Sequence, residues 1–161
     1  DGKVPCLGEE AMKRFRLIWN DVVYQPGEIH VKAYDADGNV MEEKTVRTAG
    51  KASAIRLTPD RSVLKADGED LCYVNVSLVD KDGNPVPADN RLVKVKVSGA
   101  GSFKAIANGD PTCLESFQEP QMHLFSGQLT ILVQSGTEAG NIVVEVSGKG
   151  VRKAVMNIKT E

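Results

Sequence analysis

Apolar and polar residues alternate along much of the chain, most plainly from Leu71 to Val79. There Val74, Val76 and Leu78 interleave with Tyr73, Asn75 and Ser77, and a period of two turns one face of a strand to a core and the other to water. A half-buried antiparallel strand is expected. Asp80-Lys81-Asp82-Gly83-Asn84 follows, built from residues that tolerate positive φ and bond their own backbone, so the chain reverses there. Pro85 lacks an amide donor and suits a strand start or a sheet edge.

The same grammar recurs on both sides. Arg16 to Tyr24 reads as a strand, followed by a type II turn at Gln25-Pro26-Gly27 and a second strand with Ile29, Val31 and Ala33 on one face. Asp35-Ala36-Asp37-Gly38-Asn39 turns the chain again, and Val40 to Thr48 returns. Farther on come Ile55 and Leu57, a short Val63-Leu64 piece, then Val93, Val95 and Val97 up to Gly99-Ala100-Gly101. Ser102 to Ala107, Leu129 to Val133, Ile142 to Val146 and Ala154 to Ile158 complete the set. Between Asn108 and Gly127 the pattern lapses into a long irregular stretch. Only Glu9 to Phe15 suggests helix, and it is too short to stand without tertiary support. From Ala54 onward, seven or eight short strands with Gly-rich turns predict an all-β, immunoglobulin-like β-sandwich.

The turns DADGN and DKDGN start 45 residues apart, each after a strand. This repeat suggests two consecutive β modules, residues 1–50 and 51–161, with Thr48 to Ser53, small and aperiodic, as the joint.

Charge narrows the partners. Twenty Lys and Arg face 22 Asp and Glu, seven against nine up to Gly50 and thirteen against thirteen after it. Neither part has the basic excess that nucleic acid or an anionic membrane calls for. No window approaches the roughly 18 apolar residues of a membrane span, and DGKVPCLGEE has no apolar leader core, so any secretion signal would have to lie upstream of it. Cys6, Cys72 and Cys113 are odd in number and show no CxxC spacing. They read as buried small hydrophobes, with one bridge plus a free thiol as the alternative.

Candidate chemistry is sparse. Glu115 and Glu119 are the nearest approach to a paired-carboxylate glycosidase centre, but they lie in a loop and read as solvated. The DxDGN turns open like calcium loops, yet the twelfth positions are Val46 and Arg91 rather than Glu, so both read as plain turns. His30 and His123 fall in different modules, which disfavours a metal pair, and Ser126 and Ser135 have no evident base. NGDP at 108–111 reads as a turn and a surface for a neighbouring domain. The eight aromatics are assigned to core and interface packing. No catalytic, cofactor or metal residue is assigned.

The run WNDVVYQPGEIHVKAYDADGNVMEEKTVRTAG, Trp19 to Gly50, resembles the end of the immunoglobulin-like domain that follows the catalytic barrel in bacterial glycoside hydrolase family 2 proteins, the β-galactosidase group. From IRLTPDRSVLKADGEDL onward, through the NGDP turn with its downstream Glu115-Ser116-Phe117 and the FSGQLT segment, the chain resembles an additional C-terminal domain of Bacteroides-type members. Gly2-Lys3 and Leu7-Gly8 correspond to the family's NGKSLG-like turn, which would leave the first module without its opening strand. The resemblance implies a non-catalytic accessory region of a hydrolase that removes terminal sugars with two glutamates on a barrel outside this sequence. It also implies a periplasmic or extracellular setting, and partners that are the other domains of the same polypeptide, with carbohydrate as a further candidate. The length of the irregular stretch and its aromatics mark Asn108, Asp110, Phe117, Glu119 and Phe125 as an interdomain contact. Two alternatives are an adhesin- or invasin-like immunoglobulin module, suggested by ADGxD…VxVxVxDxxGxPVP, and a carbohydrate-binding module, which would need an aromatic platform.

Overall fold

A computed structural model describes residues 22–161. The expectations for Glu9 to Phe15, for the first strand up to Asp21, and for Cys6 and Trp19 lie outside the described residues. The chain divides between Val46 and Arg47 into two compact units, and the described residues contain strands and turns without helix.

In the first unit, β1 (Glu28–Tyr34) and β2 (Val40–Arg47) form a two-stranded sheet. Gly27 has φ 153°, far from the roughly +80° that a type II turn requires. The turn expected at Pro26-Gly27 is therefore a bend, with the glycine at a positive φ that other residues rarely adopt. Across the sheet, Glu43 sits 3.4 Å from His30 Nε2 and 3.3 Å from Lys32 Nζ, an exposed cluster that accounts for one of the two histidines.

The second unit is a sandwich. One sheet runs β4 (Val63–Leu64), β11 (Ala154–Thr160), β10 (Gly140–Gly148), β6 (Leu92–Gly99), β8 (Gln121–His123); the other runs β3 (Ala54–Pro59), β5 (Leu71–Val79), β9 (Gln128–Ser135), β7 (Gly101–Ala107). Their inner faces form a single buried cluster. Cys72, Val74, Val76 and Leu78 of β5 meet Val93 of β6, Ile106 of β7, Ile131 and Val133 of β9, Ile142, Val144 and Val146 of β10 and Ile158 of β11, all fully buried. Alternation dictates this register, because a slip by one residue would turn each of these side chains to water. The strand ladders are antiparallel except that Val63 and Leu64 lie parallel to Lys159 and Thr160, and an isolated bridge, Ala54↔Arg152, is also parallel. Lys104 has no partner between Phe103↔Val133 and Ala105↔Leu132, a β-bulge that bends β7.

β8 is the strand that the pattern did not disclose. Three residues are too few to show alternation, and they lie in the stretch expected to be irregular. Yet Met122 pairs with Val93 and is fully buried.

The two DxDGN turns have one local geometry. In each, the first Asp exchanges backbone bonds with the rest of the turn, Asp35 N–H to Asn39 O at 3.0 Å and Asp80 N–H to Asn84 O at 2.9 Å. Its Oδ1 accepts two amides, from Asp37 and Asn39 or from Asp82 and Asn84, while Oδ2 accepts the Asn side chain. These carboxylates are occupied by their own turns. The surroundings differ: the first turn joins two paired strands, while after the second the chain makes one bridge, Val79↔Pro85, and crosses to β6 in the other sheet. The repeat is thus one of turns rather than of topology.

Candidate functional site

The stretch from Asn108 to Gly127 is folded around its own polar side chains. Gly109, with φ 77°, lets NGDP turn tightly, and Asn108 Oδ1 accepts the Asp110 N–H at 3.0 Å. Asn108 Nδ2 reaches across to the His123 carbonyl at 3.0 Å. Asp110 Oδ1 then takes the Thr112 N–H and hydroxyl at 2.8 and 2.7 Å, and these two bonds hold its carboxyl below the usual carboxylate range. The loop's far side is tied to β7 by the Ile106 N–H on the Phe117 carbonyl, and to β6 by the Val95 N–H on the Pro120 carbonyl, both at 2.8 Å.

Glu115 is the hub. Its Oε2 accepts the backbone N–H of His123, its Oε1 lies 3.0 Å from His123 Nδ1, and the Cys113 thiol points to Oε2 at 3.8 Å. Partial burial pushes its pKa up. The His123 amide, ring and charge, with the thiol, outweigh burial and hold the carboxyl below the ordinary value. A carboxyl held that way stays ionised at neutral pH and is a poor proton donor.

These groups line an open cleft of about 450 Å³ whose walls are Asn90, Asn108, Asp110, Cys113, Leu114, Glu115, His123, Leu124 and Phe125. Leu114 is 99% exposed, Phe117 54% and Phe125 40%. Of the five residues expected to form a contact surface, the structure brings Asn108, Asp110 and Phe125 to this cleft. Phe117 and Glu119 do not line it, and both are exposed. A second cleft of about 300 Å³, beside Asn75, Asn108, Gln128 and Thr130, has no aromatic in its wall. The sequence reading missed the Glu115–His123 pair, whose only trace is a carboxylate and an imidazole eight residues apart in a loop.

The remaining candidates resolve simply. Ser126 is the turn residue of a two-residue hairpin, with φ 50°. Ser135 is buried and its hydroxyl finds no hydrogen-bond partner, so no base activates it. Cys72 and Cys113 are free thiols. Among the described residues no group of three His, Cys, Asp or Glu is placed to hold a metal ion, and no helix is long and apolar enough to cross a membrane.

Comparison with known proteins gives a consistent picture. Residues 55–157 match the family described as glycoside hydrolase family 2 C-terminal domain 5, and residues 5–42 match a domain of unknown function, DUF4982. Over 161 residues the chain is 35% identical to Beta-galactosidase BoGH2A of Bacteroides ovatus, covering 100% of this chain and 19% of that protein. It is 28% identical over 126 residues to a Beta-galactosidase of Thermoanaerobacter pseudethanolicus, 78% of this chain and 15% of the other. A solved glycosyl hydrolase family 2 member from Bacteroides cellulosilyticus superposes with TM-score 0.86 at 30% identity, over 94% of this chain and 19% of that one. The chain thus spans about a fifth or less of the length of the curated relatives it matches.

Proposed function

Since the chain belongs to the glycoside hydrolase family 2 C-terminal domain 5 family, we propose that it is a non-catalytic accessory region of a larger β-galactosidase-like hydrolase, serving domain packing and spacing. The observation that carries this reading is the state of Glu115. The best-placed carboxylate of the described residues has both oxygens committed to His123 and a lowered pKa, whereas a glycosidase proton donor needs a raised one.

In this reading residues 1–50 close the domain that precedes them, residues 51–161 form the terminal sandwich, and the exposed Leu114, Phe117 and Phe125 of the long loop rest against another domain of the same polypeptide. The setting is periplasmic or extracellular, where such an enzyme meets glycans.

Hydrolysis of nitrophenyl β-galactoside by the 161-residue chain and by the full-length gene product tests the first part. Turnover is expected only from the longer protein. Turnover by the 161-residue chain that disappears in Glu115→Gln would overturn the proposal. For the contact surface, Phe117→Asp with Phe125→Asp in the full-length protein should lower its thermal midpoint more than it lowers that of the 161-residue chain, and equal shifts would exclude the contact.

A further inference from the structure

Asp80 does more than close its own turn. The residue is 4% exposed, and besides the Asn84 side chain its Oδ2 accepts the backbone N–H of Gly50 at 2.9 Å, thirty residues earlier in the chain. Asp35, in a turn of the same local form, makes no such long-range bond among the described residues. The Gly50 amide is the largest influence holding the Asp80 carboxyl below the ordinary range, so the acceptor is charged at neutral pH. Around this bond the joint is stitched down residue by residue. Ala52 is buried in the core cluster, the Ser53 N–H goes to Val79 O at 2.9 Å, and the Ser53 carbonyl accepts the Arg152 N–H at 2.8 Å. The turn is braced from the other side by Arg56, whose Nη2 donates to Gly83 O at 2.7 Å.

We propose that Asp80 is a latch: through the Gly50 amide it makes the segment from Thr48 to Ser53, which the sequence marks as the joint between modules, a fixed part of the second unit. The latch residue sits at the end of the module's most regular strand, so the element that organises the core also sets where the chain enters.

The segment carries its own reporter, because Lys51 is a trypsin site followed directly by buried Ala52. In the native 161-residue chain, Asp80→Ala should raise the rate of cleavage at Lys51–Ala52 by about tenfold or more, as expected when a charge-assisted hydrogen bond no longer opposes local opening. Gly50→Ala keeps the N–H, and its added Cβ would meet Asp80 Oδ2 at 3.5 Å, an ordinary contact, so it should cleave like the wild type. A folded Asp80→Ala protein cut no faster than the wild type overturns the latch. Should that variant fail to fold, amide exchange in the wild type decides: Gly50 protected to the degree of Ser53 supports the latch, and Gly50 exchanging as in an unstructured chain while Ser53 is protected overturns it.

Discussion

Glu115 grips His123 at two points, accepting its backbone N–H at 3.0 Å with one carboxylate oxygen and meeting its ring Nδ1 at 3.0 Å with the other. The pair joins the middle of the long loop to β8 and so to the edge of the five-stranded sheet. Truncation by Glu115→Ala removes both bonds from a partly exposed site and should cost about 1 kcal/mol. The local effect should be larger than the global one, with the His123 amide exchanging at least tenfold faster. A His123 amide as protected as before would show that the sheet, and not the carboxylate, holds the loop.

The two described cysteines should react very differently. Cys72 is fully buried and its thiol is pushed up to about 11, mainly by burial and then by its hydrogen bond with Asp60. Cys113 is partly exposed and lies in the wall of the open cleft. Because the thiolate is the reactive form, iodoacetamide at pH 8 should label Cys113 within minutes and leave Cys72 untouched until the sandwich unfolds. Peptide mass mapping reads both sites, and native labelling of Cys72 would contradict the burial.

The hairpin at Phe125 to Gln128 offers a test of backbone strain. Ser126 is the one non-glycine residue with positive φ among those described, at 50°, and Gly127 follows at 72°. Asn accepts this left-handed region more readily than Ser, so Ser126→Asn should stabilise by about 0.5 kcal/mol. Gly127→Ala should destabilise by more than about 2 kcal/mol, because its Cβ would lie 2.1 Å from the Val86 carbonyl oxygen. Urea midpoints read both, and a neutral Gly127→Ala would mean that the β5–Val86 corner is looser than drawn.

Acid should weaken the fold in a definite window. Asp67 is held below its ordinary value first by the Glu69 amide, Asp110 by the Thr112 amide and Asp80 by the Gly50 amide. Each has a folded-state pKa lower than in the unfolded chain, so its contribution is present above the ordinary carboxylate value and is lost as pH falls through the folded one. Stability to urea should be level from pH 7 to pH 5 with respect to these groups and fall steadily below about pH 4. Asp67→Asn should flatten part of that fall, and a stability unchanged down to pH 3 would remove these carboxylates from the account.

What could be read from the sequence was whatever recurs. The strands β5, β6, β9, β10 and β11 announce themselves because alternation at period two is imposed by one wet and one dry face, and both DxDGN turns because their local bonds need no neighbours. Elements that depend on a distant partner were silent. β8 is a strand because Met122 lies opposite Val93, Glu115 is a hub because the loop folds back to His123, and Asp80 reaches Gly50 across thirty residues. At Pro26-Gly27 the dipeptide alone suggested a turn type that the backbone does not adopt. Phe117 and Phe125, grouped on the length of the loop and its aromatics, are both exposed, and only Phe125 lines the cleft.

The parallel pairing of Val63 and Leu64 with Lys159 and Thr160 also bears on how the module is made. Nearly a hundred residues separate these partners, and the Ala66 N–H, on the Glu161 carbonyl at 2.9 Å, spans a similar interval. During synthesis, β3, β5 and β9 can pair as they emerge, but the edge at β4 has no neighbour until residue 160 has cleared the ribosome. Such late closure is characteristic of slow, non-local β topologies. Until β11 is in place, β4 and the adjoining side of β10 both lack their ladder partner, so the five-stranded sheet closes last at that edge.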